Sequence, residues 1–228
     1  MDATNLGPIL RPCISEPISQ ISDAVRYLDA AVSAHLSGKP VLAEDLIRAA
    51  DMLEIRTWTK SIWANSDVHL RFPSGFASSL PKDQRVKVRM PTHAEKAQIH
   101  ERDGYNCRFC GIPVVRPEIR KLIGASYPNA LGWGSKEIEQ HAAFQAMWAQ
   151  YDHLLPHARG GTNDLNNLVL ACAPCNFGRG GYSLKEIGVQ DPRDRPILKS
   201  SWDGLERFAR HTPSNNSVVQ AAPPCDAA

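Results

Sequence analysis

The sequence predicts an α+β fold, with an N-terminal α-helical module followed by a unit in which short strands and a helix surround a metal site. Three observations predict it. Apolar residues recur at helical spacing through residue 63. Two Cys-x-x-C turns, "CRFC" at 107–110 and "CAPC" at 172–175, supply four thiols in pairs. The segment "YDHLLPHARGGTNDLNNLVLACAPCNFGRGG", residues 151–181, reads as strand, loop, strand and helix start.

The elements follow in order. From Ser19 to His35 apolar residues recur at Ile21, Val25, Leu28, Val32 and Leu36, a helical period. Gly38 and Pro40 interrupt it. A second helix is expected over "LAEDLIRAADMLE", with Leu42, Leu46, Ala49, Ala50 and Leu53 inward, continuing into the aromatic "RTWTKSIW". Residues 64–81 have a linker's Ser, Pro and Gly. In "RVKVRM" Arg85, Lys87 and Arg89 alternate with Val86, Val88 and Met90, which predicts a strand with one cationic face. Thr92 and Glu95 form a capping-box pattern for a helix ending near Gly104. "YNCRFCGIPVV" reads as a metal knuckle running into a strand. Residues 116–150 form an insertion, helical in its second half, "SKEIEQHAAFQAMWAQ". Ser183 and Glu186 make another capping box, and "SWDGLERFAR" a last short helix. The small, polar, Pro-containing run from Thr212 has a disordered tail's composition.

Of the 228 residues 43% are hydrophobic and 22% charged, an ordinary soluble balance. The formal net charge of +2 leaves nucleic-acid affinity to local clusters of cations. No apolar run approaches the roughly 20 residues that span a bilayer, and "MDATNLGPILRPC" lacks a secretory signal's basic head and apolar core. A cytoplasmic protein with no membrane partner is expected. In a reducing cytosol paired cysteines point to metal rather than disulfides. Tetrahedral zinc wants four such ligands, and Cys107, Cys110, Cys172 and Cys175 are the candidate set for a structural Zn²⁺. A redox or merely buried thiol pair is the alternative. Cys13 and Cys225 read as unpaired bystanders.

The segment's offsets resemble the ββα-metal core of HNH endonucleases. The matching residues are Asp152, His153, Pro156, Gly160, Gly161, Asn167, Leu168, Cys172, Cys175 and Asn176, and "RDGYNCRFCG" is similar to the knuckle preceding that core in zinc-containing members. The resemblance covers roughly 91–181, broken by the insertion. It implies a His-Asn-Asn variant: His153 as general base, Asn167 holding the hairpin and orienting His153, and Asp152 with Asn176 binding a catalytic Mg²⁺ or Mn²⁺. Regular strand alternation sends neighbouring side chains to opposite faces, so the resemblance also implies a distorted hairpin at Asp152 and His153. Arg159 and Arg179 are candidate phosphate contacts, with Arg85, Lys87 and Arg89.

The residue chemistry agrees. Phosphodiester hydrolysis needs an activated water and a cation to offset charge on phosphorus. An imidazole with an ordinary pKa near 6.5 suits the first need, and carboxylate and amide oxygens suit hard divalent ions. The expected organisation is a helical module and linker at 1–80, a nuclease unit at 81–200 with the 116–150 insertion, and a short helix and tail at 201–228. The expected activity is cleavage of DNA, with a defence or restriction role by analogy and a protein partner or dimer contact through the helical module. The competing reading is a non-catalytic, zinc-stabilised module that binds nucleic acid or protein. The set Asp152, His153, Asn167 and Asn176 separates the two, because a purely structural zinc module has no use for it.

Overall fold

Helix α1, Ser19–Leu36, buries Ile21, Ala24, Leu28, Ala31 and Val32 along one stripe, as its period predicts. The computed structural model that contains it describes residues 10–63 and 79–210. The expected tail and most of the expected linker lie outside the described residues. Pro40 opens α2, Pro40–Ala49, at a position where a missing N–H costs no hydrogen bond. Leu42 and Leu53, expected inward, are 48% and 71% exposed, while Ala43, Ile47 and Ala50 are buried. The chain breaks after α2, where Asp51 accepts a hydrogen bond from the Ala142 amide at 2.6 Å. Helix α3, Leu53–Trp63, therefore starts with a new phase and buries Ile55, Trp58, Thr59 and Ile62.

Residues 85–90 are not a strand. A ladder needs a neighbour, and among the described residues this run has none. Its polar atoms bond elsewhere: the Val86 carbonyl accepts from His157 Nε2 at 2.8 Å, and Arg85 Nε donates to the Leu80 carbonyl at 2.8 Å. Val86, Val88 and Met90 are left exposed.

Helix α4, His93–Asp103, carries the expected Thr92–Glu95 capping box. Its last turn fastens the sheet. Buried Asp103 accepts from the Leu170 amide at 2.9 Å, and Arg102 donates to the carbonyls of Leu165 and Leu168, both at 2.6 Å. The expected strand after the first cysteine pair shrinks to isolated bridges, Asn106 with Pro113 and Val115 with Trp148. The insertion reverses expectation. Its longer helix, α5, Pro117–Ser126, lies in the first half. The second half holds one tight turn, Glu137–Glu139, and the short α6, Ala142–Ala146. Helix cannot continue there because Val115 bonds to Met147 (2.7 Å) and Ala149 (3.0 Å), drawing the chain into a strand.

That strand is β1, Ala149–His153, antiparallel to β2, Leu168–Cys172, with Asp152 opposite Val169 and His153 opposite Leu168. Helix α7, Ala173–Arg179, leaves β2 directly and packs on both strands and on α3. Gly178 permits the α3 contact, since a Cβ there would meet Ile62 Cγ2 at 2.5 Å. Helix α8, Leu184–Ile187, begins with the expected Ser183–Glu186 box, and α9, Glu206–Arg210, closes on α5 and α1. One cluster of buried side chains runs from Cys13 to Phe208. Cys13 is unpaired, as expected, but it belongs to the core rather than to an unpatterned terminus. Residue 11 bridges to Val189, seating Cys13 3% exposed beside the first knuckle, and burial pushes its thiol up to about 12.

Candidate metal centre and active-site cleft

Two chain turns build the thiol cluster. The first is closed by the Cys107 amide bonding to the Ile112 carbonyl and the Gly111 amide to the Cys107 carbonyl, at 2.8 and 2.9 Å. It is docked on β2 by the Arg108 amide, 2.8 Å from the Leu170 carbonyl. The second is the β2–α7 junction, where Cys172 Sγ caps the helix by accepting from the Cys175 amide. The sulfurs of Cys107, Cys110, Cys172 and Cys175 all lie within 4.8 Å of one another. Tetrahedral zinc with Zn–S near 2.3 Å requires sulfurs about 3.8 Å apart, and Cys110 and Cys172 are 3.6 Å apart. Burial opposes charge on Cys107, but hydrogen bonds from the other three thiols outweigh it and hold that thiol well below its ordinary value. The donor set fits zinc. With four protein ligands and three of them buried, such a centre has no open position for substrate.

Beside the same hairpin lies a cleft of about 520 Å³, lined by Asp152, His153, His157, Asn176, Phe177 and Arg179 together with Arg85 and Arg89. The ladder stays regular through His153, and the Leu154 amide continues it to the Asn167 carbonyl at 2.8 Å. The distortion implied by the resemblance is therefore absent from the pairing. Asp152 and His153 both reach the cleft because β1 ends at His153 and the chain bends at residues 154–155.

Asn167 clamps the loop between the strands. Its oxygen accepts from the Leu155 amide at 2.7 Å, and its nitrogen donates to the carbonyls of Leu155 and Thr162 at 3.3 and 2.9 Å. Gly161 makes this closure possible, because a Cβ would sit 1.8 Å from the Leu155 carbonyl oxygen. The imidazole of His153 is held by a different residue: its Nε2 lies 2.9 Å from Asn163 Oδ1. An amide oxygen only accepts, so Nε2 carries the proton and Nδ1 keeps its lone pair. Burial lowers the pKa of His153, with His157 and Arg89 acting in the same direction and Asn163 and Asp152 opposing. His153 thus stays neutral to more acid pH than a free histidine.

Asp152 is 4% exposed. Burial raises its pKa, opposed by Arg179, whose Nε donates to Oδ2 at 2.9 Å while Nη2 bonds Oδ1. Asn176 donates its amide nitrogen to Gln150 Oε1 at 3.3 Å, which leaves its oxygen as the end that can meet a cation. A carboxylate has about four lone-pair positions and a bidentate arginine occupies two, so Asp152 keeps capacity for a hard ion. The Asp152–Asn176 donor set fits Mg²⁺ or Mn²⁺.

The sequence-predicted arginines divide. Arg179 also donates to the carbonyls of His153, Leu154 and Tyr182. All its N–H groups have partners and it is 2% exposed, so it braces the strand end rather than offering itself to a phosphate. Arg159 bonds Glu186 at 2.6 Å, and that carboxylate already serves the Ser183 cap. Arg85 and Arg89 line the cleft; Lys87, between them in the sequence, is not among its lining residues. Sequence reasoning missed Asn163 and the partner role of Arg179. The available signal was the hairpin loop "TNDLNN", whose three asparagines flank one histidine's strand.

Residues 138–180 match the family model described as HNH endonuclease. The match spans β1, the loop, β2 and α7, and contains Asp152, His153, Asn167, Asn176, Cys172 and Cys175, while Cys107 and Cys110 lie upstream of it. Comparison with curated proteins and with solved structures gives no match.

Proposed function

From the HNH endonuclease segment at 138–180, we propose that the protein is a metal-dependent endonuclease that hydrolyses phosphodiester bonds in DNA. The observation that carries this reading is His153. A histidine whose Nε2 is tied to an amide oxygen, whose pKa is held down and whose ring lines an open cleft is poised to accept a proton at Nδ1. In the reaction Nδ1 takes a proton from a water as its oxygen attacks phosphorus, and the sugar oxygen leaves on the opposite side. Asn163 and Asn167 keep the ring and the hairpin in place during the transfer. A divalent cation bound by Asp152 and Asn176 would supply positive charge against the phosphate oxygens. Arg85 and Arg89 supply the cationic approach.

The zinc held by the four cysteines is structural on this reading. Residues 81–200 form the nuclease unit, and residues 1–80 supply a surface for a partner or a second copy. No described helix is long and apolar enough to cross a membrane. The test is incubation of purified protein with supercoiled plasmid and Mg²⁺, Mn²⁺ or no added divalent cation. Cation-dependent conversion to nicked or linear forms is expected. Intact plasmid under all three conditions, from zinc-loaded folded protein that still binds DNA, would establish the non-catalytic binding module instead.

A further inference from the structure

Phe177 follows Asn176 directly and is 47% exposed, although its helix neighbours Cys175 and Gly178 are buried. A large aromatic ring left half in water is a loss for the fold alone. The ring is nevertheless fixed in position. Trp63 meets it edge-on, with centroids 5.5 Å apart and planes at 84°, and Trp148 meets it at 6.0 Å and 63°. These contacts come from α3 and from the insertion, which pack on each other, so two segments distant in sequence brace one side chain. Its exposed surface lines the same cleft as Asp152, His153 and Asn176, with Arg85, Arg89 and the 56%-exposed Met90 also on the wall. A rigid aromatic surface one residue from Asn176, with a thioether and two guanidinium groups lining the same cleft, forms a matched pair of subsites, one for a phosphate and one for a planar base.

We infer that Phe177 is a stacking platform for a nucleobase, and that the cleft takes DNA presenting an unpaired nucleotide beside the cut: a single strand, an overhang, a bulge or a junction. This rests on the endonuclease reading for the cut and on the ring geometry for the base. Within a duplex both faces of a base are covered by its neighbours, so a platform of this kind gains contact only with a base that has left the stack. Phenylalanine has no hydrogen-bonding atom in its ring, so the contact tolerates every base.

The test holds phosphate number constant and removes only the bases. Fluorescence anisotropy, without added divalent cation, compares oligothymidylate with a wholly abasic oligomer of equal length on the zinc-loaded full chain. The wild type is expected to hold oligothymidylate about tenfold or more tighter. Phe177→Leu should bind both oligomers at the abasic level, and Phe177→Tyr, which keeps the ring, should retain the preference. Equal binding of the two oligomers by the wild type overturns the inference, as does a preference that survives in Phe177→Leu. Should the leucine variant fail to fold, the wild-type ratio and the tyrosine variant decide, since loss of preference with the ring retained also overturns it. Cleavage is scored separately on single-stranded and fully paired DNA. A wild type that discriminates bases through Phe177 but cuts neither substrate keeps the platform and loses the nuclease; one that cuts both with no Phe177-dependent preference does the reverse.

Discussion

The four-cysteine centre and the cleft are both built on one short hairpin and the helix that follows it, and they are built by opposite rules. At the thiol centre every donor comes from a tight turn, three of the four cysteines are buried, and the four sulfurs lie within 4.8 Å of one another, a full set for zinc. In the cleft the donors are incomplete. Asp152 shares its oxygens with Arg179, Asn176 has one end bonded to Gln150, and His153 has one nitrogen anchored and the other without a hydrogen bond among the described residues. A closed donor set stabilises the chain and can do little else. An open one leaves capacity for a substrate and a cation, and needs supporting bonds from outside to hold its shape.

The comparison breaks most visibly at the closed centre. Cys172→Ser should lose zinc and fail to fold at 25 °C. Structural zinc contributes about 10–16 kcal/mol in small domains, as much as or more than the roughly 5–15 kcal/mol net stability of a whole domain. Metal analysis and circular dichroism check this; a folded variant with no zinc would remove the centre from the structural account.

Next in size is the brace under the open site. Arg179→Met leaves the buried Asp152 carboxylate without its partner and should cost about 3–5 kcal/mol in urea unfolding, with zinc content unchanged. A cost under about 1 kcal/mol would mean that Asp152 is held by something else.

A smaller effect, confined to catalysis, is expected of Asn163→Ala. The ring loses the acceptor that fixes its tautomer, and the rate should fall about tenfold or more. The sign of the pH effect is distinctive. Asn163 favours the protonated imidazole, so its removal lowers the pKa of His153 further. The acid limb of the pH–rate profile should move to lower pH even as the plateau drops. A limb that stays in place would leave Asn163 a purely structural residue.

The smallest effect is at the approach to the cleft. Arg89→Glu should lower DNA affinity and reduce the salt slope by about one phosphate's worth or somewhat more, and Lys87→Glu should change it less, since of the run's three cations Arg85 and Arg89 line the cleft and Lys87 does not. Equal slopes for the two variants would assign the run to general surface charge.

What the sequence made legible follows the same division. Both cysteine pairs stand out because ligand spacing is a local property of a turn, and the Asp-His pair and Asn167 because their offsets resemble a known motif. The capping boxes at Thr92 and Ser183 were legible for the same local reason. Contacts between distant segments were not. Nothing in the sequence says that Arg179 folds back on Asp152, or that Asn163 rather than a neighbouring asparagine meets His153. The inward face of α2 was misread because the periodicity was carried across the break at Asp51, and "RVKVRM" because alternation describes a strand only when another strand is there to pair. Cys13 is unpaired as expected, but its burial was not legible, because the chain beside it is held by the bridge of Arg11 to Val189, far away in the sequence.

The claim that the cleft is catalytic is tested most directly by His153→Ala. The variant should keep its zinc, its melting temperature to within a few degrees and its affinity for DNA, because the base is needed only while the bond is breaking. Its plasmid-cleavage rate in Mg²⁺ or Mn²⁺ should fall about 100-fold or more. Cleavage at the wild-type rate under matched metal would contradict the assignment of His153 as the base and, with it, the reading of the cleft as the active site.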